Sequence, residues 1–77
     1  MTRTEFKEQF ADVLGLPPNE LNFDTVLGSL ESWDSVSYLA TMVLIDERLG
    51  IALRPDVLST AKTVNDLIAL VQVKLED

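Results

Sequence analysis

The chain predicts an all-α protein: a small four-helix bundle of three longer helices and one short one, with a long loop between helices one and two. Three observations carry this. Apolar residues recur at helical spacing in three separate stretches. Each of those stretches opens on a capping residue, and the first two close on glycine. Between the first two lies a connection, Leu16 to Asp34, with no clear periodicity.

Helix one spans Thr4 to Leu14, with Phe6, Phe10, Val13 and Leu14 at helical spacing. Thr2 and Glu5 are placed to form a capping box, and Gly15 stops the helix. Leu16-Pro17-Pro18-Asn19-Glu20 breaks the periodicity. A loop as long as the one that follows is uncommon in a compact domain and is more often functional than idle. Its Leu21, Phe23, Val26, Leu27 and Leu30 need burial, so the loop is expected to lie over the core, partly wound into short helical pieces. Trp33 reads as a further anchor, because a large aromatic beside a loop usually pins it.

Asp34 is an N-cap, which puts the start of helix two at Ser35. A hydroxyl on the first helical residue stands near the positive end of the macrodipole, where free N–H groups favour a phosphate. An isolated Asp-Ser is most often an ordinary helix start. The helix runs to Leu49, with Gly50 at the left-handed C-terminal position and Arg48 complementing the dipole. At about 100° per residue, Tyr38, Met42, Ile45 and Leu49 share a stripe about 60° wide, expected to face the core. Val36, Leu39, Ala40 and Val43 form a second stripe about 140° away, beginning beside Ser35. Two readings of that stripe stand: packing against the loop or a short extra helix, or a protein-docking strip around the serine.

After Gly50, Ile51 and Leu53 lead into Arg54-Pro55-Asp56-Val57-Leu58, an extended connection and then a short third helix with Pro55 at its start. Thr63-Val64-Asn65-Asp66 is a cap with an acid at the third helical position. Val64, Leu67, Ile68, Val71 and Leu75 give the last helix its apolar stripe nearly to the C-terminus.

Composition narrows the chemistry. Seventy-seven residues read as one domain, 1–77, with no internal repeat. A chain of this size buries only about 60–65% of its unfolded surface and has no room for a large enclosed active site. With no cysteine and no histidine, thiolate chemistry, disulfides, imidazole bases, a Ser-His-Asp triad and the usual zinc sets are excluded. Paired-carboxylate hydrolysis would need an apolar cleft to raise one pKa, which so small a domain can hardly enclose. The chain is therefore not expected to be an enzyme. A net charge of −7 and a pI near 4.3 argue against nucleic acid and anionic membranes and favour basic partners. The carboxylates are spread along the chain instead of gathered at calcium-loop spacing, so no metal site is expected. No apolar run is long enough for a signal peptide or membrane span, and a cytoplasmic monomer is expected.

The order of elements, Asp34-Ser35-Val36 opening helix two, Gly50-Ile51 closing it, and Thr63-Val64-Asn65-Asp66-Leu67-Ile68-Ala69-Leu70-Val71 in the last helix resemble the acyl and peptidyl carrier protein family over essentially the whole chain. The family's signature is Asp-Ser followed by Leu or another aliphatic residue. The resemblance implies that Ser35, beside Asp34, carries a covalent 4'-phosphopantetheine arm from coenzyme A, placed there by a magnesium-dependent phosphopantetheinyl transferase. It implies that the arm holds an acyl, aminoacyl or peptidyl group as a thioester, received from a loading enzyme and presented to downstream synthases or tailoring enzymes. A serine with no base beside it is a poor nucleophile, so activation falls to the partner.

Departures from the family pattern refine the expectation. Ser37 and Ala40 stand where fatty-acid carriers are often acidic, so docking should rest on Val36, Leu39, Ala40 and Val43, with Trp33 beside them and Asp34, Asp46, Glu47 and Glu31 steering. Trp33 before Asp34 resembles stand-alone carriers of specialised polyketide, nonribosomal-peptide or hybrid pathways. The alternative is an acidic interaction module of the same fold, never modified at Ser35.

Overall fold

A computed structural model describes residues 1–76. Four α-helices form the bundle among the described residues: α1 (Arg3–Leu14), α2 (Ser35–Leu49), α3 (Pro55–Leu58) and α4 (Val64–Val71). Short 3-10 turns occupy Pro18–Glu20 and Leu27–Ser29 in the long loop and Gln72–Lys74 after α4. The fold is thus the small helical bundle expected, with the loop partly wound as expected.

Local sequence sets each helix boundary. Thr2 and Glu5 form the reciprocal capping box at α1, which begins one residue earlier than the apolar spacing alone indicates. At its end Leu16 donates to the Ala11 carbonyl and Gly15 to that of Asp12, a Schellman closure made possible by Gly15 at φ 72°. Gly50, at φ 69°, closes α2 in the same left-handed conformation. Thr63 and Asp66 make the capping box of α4.

The core joins Phe6, Phe10, Ala11 and Leu14 of α1 to Leu21 and Leu27 of the loop, Ile45 and Leu49 of α2, Leu58 of α3, and Val64, Leu67, Ile68 and Val71 of α4. The loop is fixed by backbone as well as by these side chains. Val64 N–H donates to the Thr25 carbonyl (3.1 Å) and Asn65 N–H to that of Phe23 (2.8 Å), so the loop satisfies two of the first donors of α4. Leu27 N–H returns to the Lys62 carbonyl (2.8 Å), giving an isolated antiparallel bridge between Val26 and Thr63. Lys7 ties the other end of the loop to α1: its Nζ donates to the Leu21 carbonyl at 2.8 Å and lies 5.3 Å from the centre of the Phe23 ring.

Three expectations need correction. Val26 is 52% exposed instead of buried, because its residue is held by backbone pairing to α4 and the side chain is left outside. The last helix ends at Val71, where φ −122° and ψ 4° leave α geometry; the chain turns, Leu75 lies half-buried, and Glu76 N–H reaches the Met1 carbonyl. On α2 the buried line runs through Ser37, Thr41, Ile45 and Leu49, about 50° around the helix from the expected stripe. Tyr38 and Met42 flank that line, half-buried. The polar residues enter because their hydroxyls find backbone partners: Thr41 donates to the Ser37 carbonyl at 2.8 Å and Ser37 to the Ser32 carbonyl at 2.6 Å. The Tyr38 hydroxyl instead reaches outward to the Pro55 carbonyl at the start of α3.

Candidate functional site

Ser35 is the first residue of α2, exposed, and its hydroxyl makes no hydrogen bond among the described residues. Asp34 precedes it as the N-cap, one carboxylate oxygen accepting from Val36 N–H and Ser37 N–H at 3.0 Å each. Ser37 completes the box by accepting from Asp34 N–H at 2.9 Å. Two first-turn donors are therefore taken by Asp34, as its place at the N-cap leads one to expect. What remains at Ser35 is an unobstructed hydroxyl at the positive end of a 15-residue helix.

The hydrogen bond from Ser37 N–H, and with it that from Val36, holds the Asp34 carboxyl below its ordinary value of 3.8. Asp66 is lowered in the same way by the N–H groups of Lys62 and Thr63, at 3.0 and 3.1 Å. A folded pKa below the unfolded one gives stability that is full above the ordinary value and lost as pH falls through the folded one. Acid titration followed by circular dichroism should therefore keep the helical signal at about pH 5 and lose cap stability below about pH 4, with Asp34→Asn flattening part of the slope.

Trp33 is half-buried, wedged between α1 and α2: its ring meets Phe10 edge-on (centroids 5.6 Å, 77°) and Tyr38 at a tilt (5.5 Å, 48°). This is the loop anchor expected. It also walls one side of an open cleft of about 530 Å³, lined by Trp33, Asp34, Ser35, Tyr38, Leu39, Met42 and Pro55. Ser35 thus stands at the lip of a mostly apolar depression between α2 and α3. Tyr38 and Met42, read from the sequence as core, and Pro55, read only as a helix start, are the lining residues that sequence reasoning missed.

The second stripe of α2 is open to solvent. Val36, Leu39 and Val43 are 75%, 59% and 54% exposed, opposite the buried line, so the loop does not cover them. Ala40 is half-buried and belongs with Val13, Leu44 and exposed Glu47 to a groove between α1 and α2. The structure therefore brings Trp33, Asp34, Ser35 and Leu39 together at one cleft, leaves Val36 on the outer face, and places Ala40, Val43 and Glu47 at the groove towards α1, Val43 still more than half exposed. Among the described residues no three metal-ligating side chains gather, and no helix is long and apolar enough to cross a membrane.

A free serine hydroxyl at a helix start, beside an apolar cleft and with no catalytic base, suits covalent attachment by another enzyme. The family model described as "Phosphopantetheine attachment site" matches residues 4–71. The chain belongs to that family. Forty-four residues are 46% identical to the acyl carrier protein MbtL of Mycobacterium bovis, and equally to that of two Mycobacterium tuberculosis strains, covering 57% of this chain and 52% of the relative. The chain thus spans about half the length of the curated relatives it matches. No solved structure matches it. Membership of the family implies a covalently attached 4'-phosphopantetheine, and the exposed, unengaged hydroxyl of Ser35 fits such an attachment.

Proposed function

We propose that the chain is a stand-alone carrier protein that holds an acyl, aminoacyl or peptidyl intermediate as a thioester on a 4'-phosphopantetheine arm at Ser35. The observation that carries this reading is the placement of Ser35, which is exposed, unbonded and on the first turn of α2. Its neighbour Asp34 is committed to capping and supplies no base, so the chain itself catalyses nothing and a transferase activates the hydroxyl. When bound, the arm supplies a thiol for the thioester. The chain's own residues fix its root, offer a surface to the enzymes that load and consume the cargo, and raise the effective concentration of that cargo at each of them.

Likeness to a named acyl carrier protein supports an acyl cargo, and Trp33 before Asp34 supports a specialised pathway over general fatty-acid synthesis. The chain would do this work as a monomer in the cytoplasm. Val36, Leu39 and Val43, with Glu47 and Asp46 on the same helix and Glu31 in the loop before it adding negative charge, would meet an apolar patch edged with basic residues on the partners. Val43→Asp is expected to weaken binding to the loading enzyme about tenfold while leaving the melting temperature unchanged, since the side chain is already solvated. A marked fall in melting temperature would instead place Val43 in the packing.

The test of carriage is made on the chain recovered from the cells that produce it. Mass spectrometry of the Ser35 peptide should show a phosphopantetheine bearing an additional acyl mass released by hydroxylamine. An unmodified Ser35 in every preparation would turn the reading to an acidic docking module of the same fold.

A further inference from the structure

The side chain that ties the residues before Ser35 to α2 is that of Ser37, which the sequence marks only as a departure from the acidic residue common in fatty-acid carriers. It is 5% exposed although it lies two residues from an exposed serine. Its oxygen accepts from Asp34 N–H at 2.9 Å, and its single proton goes to the Ser32 carbonyl, the shortest contact at 2.6 Å. The Asp34 carbonyl and carboxylate oxygen are more distant, at 3.1 and 3.3 Å. One hydroxyl thus clamps the backbone on both sides of Trp33, whose ring is gripped in turn by Phe10 and Tyr38. The three residues before Ser35 are held from the helix they lead into. The direction in which the Ser35 hydroxyl leaves the surface follows from theirs.

We propose that Ser37 is a positioning residue for the modification of Ser35: through its paired bonds to Ser32 and Asp34 it presents the Ser35 hydroxyl to the transferase in one fixed orientation. The inference rests on the reading of Ser35 as the attachment point. A nucleophile supplied on one protein to a phosphoryl donor held by another reacts in proportion to the fraction of encounters in which it is aligned, and a loosened approach loses that alignment. The helix survives without Ser37 because Asp34 continues to cap it through Val36 N–H and the residue-37 backbone N–H.

The experiment measures kcat and KM for the carrier in transfer from coenzyme A with magnesium, using the wild-type chain, Ser37→Ala, Ser37→Cys and Ser37→Thr. The cysteine leaves no void and loses the strong hydroxyl bonds, so it stands in if the alanine variant does not fold; the threonine restores the hydroxyl. Ser29→Ala serves as control, because the Ser29 hydroxyl bonds the Val26 carbonyl within the same loop and touches neither Ser32 nor Asp34. The expected result is a fall of about tenfold in kcat for Ser37→Ala and Ser37→Cys with the carrier KM changed by no more than about twofold. Ser37→Thr should recover most of the rate and Ser29→Ala should match wild type. Partial unfolding would instead raise the apparent KM alone, and that pattern, or an unchanged kcat, overturns the inference while leaving Ser35 as the attachment point. A wild-type chain that accepts no arm overturns the reading of Ser35 and this inference with it.

Discussion

Ser35→Ala should lose all attachment of a phosphopantetheine arm while folding as the wild-type chain does. The hydroxyl is exposed and bonds to nothing among the described residues, so its removal leaves no buried partner unsatisfied. The cap of α2 belongs to Asp34, whose bonds to Val36 and Ser37 do not involve the Ser35 side chain. Alanine is also the better helix former, so the expected change in stability is within about 0.5 kcal/mol. Attachment, by contrast, needs the oxygen itself as the phosphate ester, and the next hydroxyl on the helix does not substitute, because Ser37 is buried and doubly engaged. Melting temperature and intact mass on one sample separate the two effects. A variant that still gained the arm would move the attachment point elsewhere.

Phe10→Ala is expected to be the most damaging single substitution for the fold, by about 3–5 kcal/mol. Phe10 is fully buried, stacks at 6.4 Å on Phe6 one helical turn away, and receives the edge of Trp33. Its loss would open a cavity where α1 meets the loop and remove the surface on which Trp33 rests. For a domain this small, such a loss is comparable to a large part of the total stability. Chemical denaturation gives the magnitude. The single tryptophan gives the location, since its emission should shift to the red under native conditions as the ring loses its partner. A near-neutral result would mean that the core can collapse around the missing ring.

The elements that could be read from the sequence are those whose determinants are local. Thr2 with Glu5, Asp34 ahead of Ser35, and Thr63 with Asp66 each announce a helix start through a side chain that serves a backbone donor within three residues. Gly15 and Gly50 announce the ends, because both take positive φ. Where the reading failed, the cause was tertiary. The face of α2 that is buried contains Ser37 and Thr41, which no apolar count selects, and they are admitted by bonds to the Ser32 and Ser37 carbonyls. Tyr38 and Met42 pack against the edge of the core and also line the cleft, the Tyr38 hydroxyl reaching the carbonyl of Pro55, seventeen residues further on. Val26 stays exposed although apolar, its backbone being fixed by the bridge to Thr63.

Ser37 illustrates the same division at the site. A serine at the third helical position after an Asp cap is a readable capping-box signal, and Asp34 N–H does bond to it. Its second bond, back to the Ser32 carbonyl, depends on how the loop returns over α1 and has no signature in the spacing of residues. The cleft at Ser35 likewise needs α3 to be placed before it exists. Ser35 is proposed without tertiary information, from the Asp-Ser pair at a helix start set in an order of elements that resembles the carrier family.

The most direct test of the account is the intact mass of the purified chain before and after incubation with coenzyme A, magnesium and a broad-specificity phosphopantetheinyl transferase, with fragmentation to locate any addition. The account predicts a gain of one phosphopantetheine group, carried on Ser35 and absent from Ser35→Ala. An unchanged mass under conditions that modify a control carrier, or an addition at another residue, would contradict it.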